Sequence, residues 1–332
     1  MQIRVISSCS ELEAMTEPWF ELLQRSRRAT PFQAPEWLLP WWHHFGSGKL
    51  NVLVFEDRGV LVGLAPLCLA ETPDGPTVTR FIGTGNTDYL DLLAKAGHEE
   101  VVLAEFSKYI AEMRRHSRAG FDFQELREEA LATSLGPKAV QEVCPVVPLQ
   151  NTSTWEDLRD VWSAGLFTKL QKYRRRLERE GTVQYEAVSE KNFSILFETI
   201  VTLHQRQWGQ WKEGVRTDVG VFGNEKSILF HREAAQGYLK KDLLRLYCLS
   251  LNGVRIAAIY GFVHHRRAYY YISGFDPLYA QFSPGSLIIA YAMEQAVKGK
   301  IQEFDFLRGA EPYKYRWGAV DRRNYRILMP PF

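Results

Sequence analysis

Asp305, Arg308, Glu311, Tyr313 and Lys314 are the densest ionisable group in the chain outside one basic helix. Carboxylates, cations and a phenol on one short stretch can supply a base, charge stabilisation and a proton donor. Those are the parts that transfer of a group to a nucleophile requires. The alternative is an ion-pair network closing a turn, because structural networks also crowd ionisable groups. Asp305 is the most ambiguous member, since it can orient Arg308 or Lys314 as readily as take a proton. Upstream, Ser283-Pro284-Gly285-Ser286 reads as a helix start. Ser283 is placed to N-cap it, with Pro284 at the first helical position, where a missing N–H costs nothing. The amides of Gly285 and Ser286 then lie free at the positive helix end, where a phosphate binds.

Three elements must hold these groups. The aromatic and β-branched run 267–275 predicts a strand. Leu287, Ile288, Tyr291, Ala292 and Ala296 recur at helical spacing, and Gly299 stands where a helix stops. Residues 303–307 read as a second strand, with Phe304 and Phe306 on one face and Asp305 on the other. A strand–helix–strand of this length implies a parallel pair with a right-handed crossover. The C-terminal ends of such strands are where α/β proteins place ligands.

Lys169, Lys172, Arg176 and Arg179 fall at helical spacing opposite Leu166, Leu170, Tyr173 and Leu177, and Arg174 and Arg175 add to the charge. This helix is either an electropositive rim for a cofactor phosphate, a nucleotide-linked substrate or tRNA, or a solvated face balanced by Glu178 and Glu180. No stacking-aromatic module accompanies it, which weighs against RNA. His204 shares an expected helical face with Phe193, Phe197, Ile200, Trp208 and Trp211. It reads as a core histidine or, given the polar run Gln205-Arg206-Gln207, as a group beside a cleft. The adjacent pairs His43-His44 and His264-His265 diverge on any regular element, and no metal is assigned.

The whole chain fits this picture. Its 332 residues suffice for two domains, and 45% hydrophobic with 24% charged residues is the balance of a globular protein. A net charge of +2 predicts neither nucleic-acid nor membrane binding. No apolar run reaches the roughly 20 residues of a membrane span. The N-terminus turns acidic too early for a secretory signal. Cys9, Cys68, Cys144 and Cys248 show no zinc spacing and read as reduced thiols of a cytoplasmic protein. In the first half a strand over 2–7, helices over 11–25, 37–45 and 99–116, and strands over 51–56, 60–70, 77–82, 89–93 and 121–127 are expected. Residues 135–154 have the turn composition of an interdomain connection, dividing the chain into 1–150 and 151–332.

The run SGFDPLYAQFSPGSLIIAYAMEQA, followed by FDFLRGAEPYKYRWG, resembles the GNAT-type acetyltransferase domain of bacterial cellulose-biosynthesis-associated proteins. That group is related to the Fem-type peptidoglycan aminoacyltransferases. The likeness takes in the stretch from His204 to Trp208 and the basic helix, and Pro31 to Trp37 with Asp88 to Asp91 resembles the first half of such proteins. It implies an α/β (α+β) fold of two tandem GNAT-like domains, each a mixed, mainly antiparallel sheet flanked by helices. It implies acyl-CoA as donor, its phosphates near Ser283, Gly285 and Ser286, and the acyl carbonyl held near Ser273 and Gly274. Tyr313 would protonate the leaving thiolate, Lys314 would stabilise charge, and His204 or Asp305 would act as base. Arg308, Glu311, Trp208, Lys172 and Arg176 would then bind the substrate, an amine or hydroxyl of a small molecule or an envelope or polysaccharide precursor. The alternatives are Fem-like transfer from aminoacyl-tRNA and a non-catalytic binding protein of exopolysaccharide production.

Overall fold

The computed structural model describes residues 1–72, 75–117, 120–212, 215–217 and 220–330. The chain runs β1 (Gln2–Ile6), α1 (Cys9–Ala14), α2 (Thr16–Gln24), α3 (Pro35–Phe45), β2 (Lys49–Leu50), β3 (Val52–Asp57), β4 (Val60–Ala65), β5 (Leu67–Thr72), β6 (Gly75–Phe81), β7 (Leu93–Ala94), α4 (Glu99–Ser117), β8 (Gly120–Arg127) and β9 (Ala139–Pro148). It continues through α5 (Leu158–Val161), α6 (Leu166–Glu180), β10 (Val183–Ala187), α7 (Phe193–Trp208), β11 (Gln210–Lys212), β12 (Val215–Thr217), α8 (Glu225–Lys240), β13 (Leu244–Leu251), β14 (Val254–His264), β15 (Arg267–Phe275), α9 (Pro284–Lys298), β16 (Glu303–Asp305), α10 (Pro312–Tyr315) and β17 (Val320–Met329). The expected mixed α/β fold, sheets flanked by helices, is what the structure shows. None of the described helices is long and apolar enough to cross a membrane.

The chain divides into two compact units, Met1–Val143 with Arg322–Phe332, and Cys144–Asp321. The division falls inside β9 rather than at residue 150, and the middle of the stretch expected to be a connection is strand β9. The last residues return to the first unit because β17 pairs with β8.

In the first unit, β1, β3, β4 and β7 form one antiparallel sheet, while β2, β5 and β6 pair in turn and β6 runs parallel to β8. Two prolines account for most departures from expectation. Pro18 cannot donate to the Ala14 carbonyl, and the helix expected over 11–25 breaks at Met15 into α1 and α2. Pro66 splits the expected 60–70 strand into β4 and β5. Of the strand expected over 89–93, only Leu93 lies in a strand, the two-residue β7. Instead, Asp91 is buried and accepts from the amides of Leu92, Leu131 and Ala132, and burial raises its carboxyl to about 7.

In the second unit the strand order is β10-β13-β14-β15-β16-β9, antiparallel except for β15–β16. Helices α6 and α9 cover one face over a core that includes Leu170, Leu177, Ile288, Met293, Phe304 and Trp317. Helices α7 and α8 cover the other, where Phe197, Phe222, His231 and Tyr260 pack edge to face.

Candidate active site

The strand–helix–strand expected at 267–307 is present, and its parallel ladder is short. Arg267 pairs with Glu303, Ala268 with Phe304 and Tyr269 with Asp305, where the ladder ends although β15 continues to Phe275. Two local features part the strands. Asp305 Oδ1 accepts from the Leu307 amide at 2.8 Å, and Leu307 adopts a φ of 57°, which turns the chain out of the sheet. Phe306 donates its amide to Pro145 instead, so the chain after β16 follows β9 and leaves β15. On its other side β15 pairs with β14 in a register that slips between Tyr260 and Gly261. Tyr271 is the extra residue, a bulge that re-aims the side chains after it. The edge of β15 that carries Ser273 and Gly274 is thereby left facing the gap.

A chain of hydroxyls borders that gap. Ser273 Oγ lies 2.5 Å from the Tyr270 hydroxyl, which is also hydrogen-bonded to Tyr313. Burial and the neighbouring Tyr270 push the Tyr313 phenol well above its ordinary value, so Tyr313 keeps its proton throughout the physiological range. Its ring packs edge-on against Phe306, with centroids 6.1 Å apart. Tyr313 therefore offers a hydrogen bond to developing negative charge. It is a reluctant source of a complete proton, since a general acid works best near the operating pH. Tyr270 and Ser273 were not among the residues expected to pair with Tyr313, because nothing in a separation of forty-odd residues signals the contact.

Lys314 has a different place from the one expected. It is buried, and its ammonium donates to the carbonyls of Leu307, Arg308 and Gly309 at 3.2, 2.6 and 2.9 Å and pairs with Glu311 at 2.9 Å. Three donors shared among four acceptors leave nothing for an oxyanion. Lys314 plugs its own turn and so fixes α10, which carries Tyr313. Glu311 is correspondingly its ion-pair partner. The turn also needs Gly309, whose φ is 100° and whose Cβ would meet the Glu311 carboxylate at 2.6 Å.

The helix start differs in detail. Pro284 opens α9, but Ser283 sits in the left-handed region (φ 52°, ψ 50°) and its side chain makes no cap bond. The Ser283 carbonyl, not its hydroxyl, satisfies the turn, accepting from Ser286 and Leu287 at 3.0 and 3.1 Å. The Ser286 amide expected to be free is thus used, and Gly285 is left as the first-turn amide for an anion. The basic helix reaches this point. Arg176 donates to the Gln281 carbonyl at 3.2 Å and stacks its guanidinium on Phe282 at 5.3 Å, bracing the segment that leads into α9. Lys172 and Arg176 share a groove of about 1060 Å³ with Lys169, Arg175 and Arg179.

His204 lies away from the hydroxyls. It is buried on α7 against Phe222 and near His231, whereas Tyr270 and Tyr313 belong to the core under α6 and α9. Burial holds it down at about 4, so it is neutral at pH 7 and a weak base. Two neighbours sequence reasoning grouped as cleft residues instead tie α7 to the end of β15. Arg206 pairs with buried Asp276 at 2.6 Å, and Gln207 accepts from the Phe275 amide at 3.2 Å. Trp208 stands at the helix end, 55% exposed.

Residues 166–315, within this second unit, match a family model described as acetyltransferase (GNAT) domain. No curated protein matches the chain in sequence. Among solved structures, FemX is similar over 99% of this chain and 98% of that one, with 10% identity and a TM-score of 0.64. A C-terminal domain assigned to a lysylphosphatidylglycerol synthetase from Agrobacterium fabrum is similar over 97% and 92%, with 11% identity and a TM-score of 0.58. L-PGS from Bacillus licheniformis is similar over 88% and 90%, with 13% identity and a TM-score of 0.53. At these identities the likeness is one of fold.

Proposed function

We propose that the second unit is an acyltransferase that moves an acyl group from an acyl-CoA thioester to an amine or hydroxyl. The observation that carries this reading is the end of the β15–β16 ladder at Tyr269–Asp305, with the Tyr313–Tyr270–Ser273 hydroxyls beside the uncovered edge. A thioester carbonyl laid against Ser273 and Gly274 accepts a backbone hydrogen bond that strengthens as negative charge gathers on its oxygen. The acceptor's amine or hydroxyl attacks the carbonyl carbon and gives up its proton to Asp305. The C–S bond then breaks, and the Tyr313 hydroxyl donates a hydrogen bond to the departing sulfur. Phosphates are assigned to the first turn of α9 through the Gly285 amide, with Arg176 of the basic helix bonded to Gln281 just ahead of it. Arg308 and Trp208 are assigned to the acceptor, which the resemblance makes a small molecule or an envelope or polysaccharide precursor.

Calorimetric titration with acetyl-CoA tests the reading. Saturable binding is expected, weakened about tenfold or more in Lys172→Glu/Arg176→Glu and by added salt. Absence of saturable binding by the wild-type chain refutes the donor.

A second reading, transfer from aminoacyl-tRNA, is favoured by the length of the basic groove along α6 and by the likeness of fold to FemX. A gel shift with charged tRNA, together with indifference to acetyl-CoA, would select it.

A further inference from the structure

We propose that Cys9, Glu13 and His43 form a binding site for a divalent metal ion of borderline softness, zinc foremost, on the first unit. Cys9 and Glu13 stand four residues apart on α1, a spacing that puts both side chains on one helical face. His43, in the last turn of α3, meets them. Its Nε2 lies 2.9 Å from Glu13 Oε1 and 3.6 Å from Cys9 Sγ, and that sulfur lies 3.4 Å from the same carboxylate oxygen. The three donor atoms form one compact triangle.

The dimensions of that triangle carry the inference. A tetrahedral zinc ion, with Zn–S of about 2.3 Å and Zn–N and Zn–O of about 2.0 Å, separates nitrogen from oxygen by about 3.3 Å and sulfur from either by about 3.5 Å. Each observed edge is within about 0.4 Å of those values. Thiolate, imidazole and carboxylate together suit zinc and disfavour calcium or magnesium, which take oxygen ligands.

Access is also present. Cys9 is half-buried and lines a groove of about 470 Å³ with Ser7, Trp42 and Lys49, which admits an ion and leaves room for water as a fourth ligand. Cys68, Cys144 and Cys248 are buried, so Cys9 is the thiol an ion can reach. Binding breaks the S–H bond, forms a sulfur–metal bond and releases the proton to solvent, which makes affinity rise with pH.

The chain, stripped with a chelator, is titrated with zinc chloride by calorimetry and with cobalt(II) by absorption. One equivalent of zinc is expected to bind with proton release, and cobalt is expected to show a sulfur-to-metal charge-transfer band. Cys9→Ser, Glu13→Gln and His43→Ala should each weaken zinc binding about tenfold or more, and Cys9→Ser should abolish the band, with the metal-free melting temperature unchanged. Should one variant fold poorly, the remaining two and the cobalt spectrum decide. No saturable binding, affinity equal in wild type and folded variants, or a cobalt complex without the sulfur band overturns the site.

Discussion

Gly274 of β15 and His204 of α7 meet backbone to backbone: a Cβ on Gly274 would lie 2.3 Å from the His204 amide nitrogen and 2.6 Å from its Cα. No side-chain rotation relieves that contact, so Gly274→Ala must push the helix off the strand. The expected cost is about 1–3 kcal/mol or more, as for other overpacked cores. Denaturant unfolding measures it, and a loss below about 0.5 kcal/mol, the scale of an ordinary surface change, would mean that helix and strand are not held this tightly.

Tyr313→Phe keeps the ring on Phe306 and removes one hydroxyl from the relay. Loss of a donor aimed at developing charge typically costs about a hundredfold or more in turnover. Because the phenol holds its proton far above neutrality, the wild-type rate should show no alkaline limb from this group up to pH 9 or so. Steady-state transfer to any competent acceptor checks both points, and a variant within about threefold of wild type, far short of that loss, removes Tyr313 from the chemistry.

Lys314→Met should first affect folding, not charge stabilisation. It strands the carbonyls of Leu307, Arg308 and Gly309, which the ammonium now satisfies, and each buried orphan costs about 1–3 kcal/mol. A lower melting temperature is expected, with a fall in turnover that follows from a displaced Tyr313. An unchanged melting temperature with a large loss of turnover would instead restore a direct chemical role.

His204 and His231 are held down at about 4 and about 3 by burial, against an ordinary value near 6.5. The unfolded chain therefore binds more protons than the native one between about pH 4 and 6.5, and stability rises with pH through that window. Their contribution is fully present above about pH 6.5 and is lost as the pH falls. Asp91, raised to about 7, acts in the opposite sense, stabilising below about pH 4 and losing that contribution as the pH rises toward 7. His204→Gln should flatten the acid limb of a stability–pH curve, and an unaltered limb would show that His204 is not buried neutral.

What the sequence determined by itself is local. The strand–helix–strand at 267–307, the proline at the start of α9 and the amphipathic basic helix all follow from spacing and dihedral preference, which act over a few residues. The two prolines that cut the N-terminal elements were equally visible, since a missing N–H acts locally. Only the tertiary structure decided the use of each polar group. Lys314 became a plug because three carbonyls happen to converge on it. Arg176 found the lead-in to α9 more than a hundred residues away, and Tyr270 found both Ser273 and Tyr313. Cys9 and Glu13 met His43 across two helices, a contact that no ligand spacing along the chain announces. Hydrogen bonds and ion pairs depend on distances of a few tenths of an ångström between groups far apart in sequence, and these are set by how the elements pack.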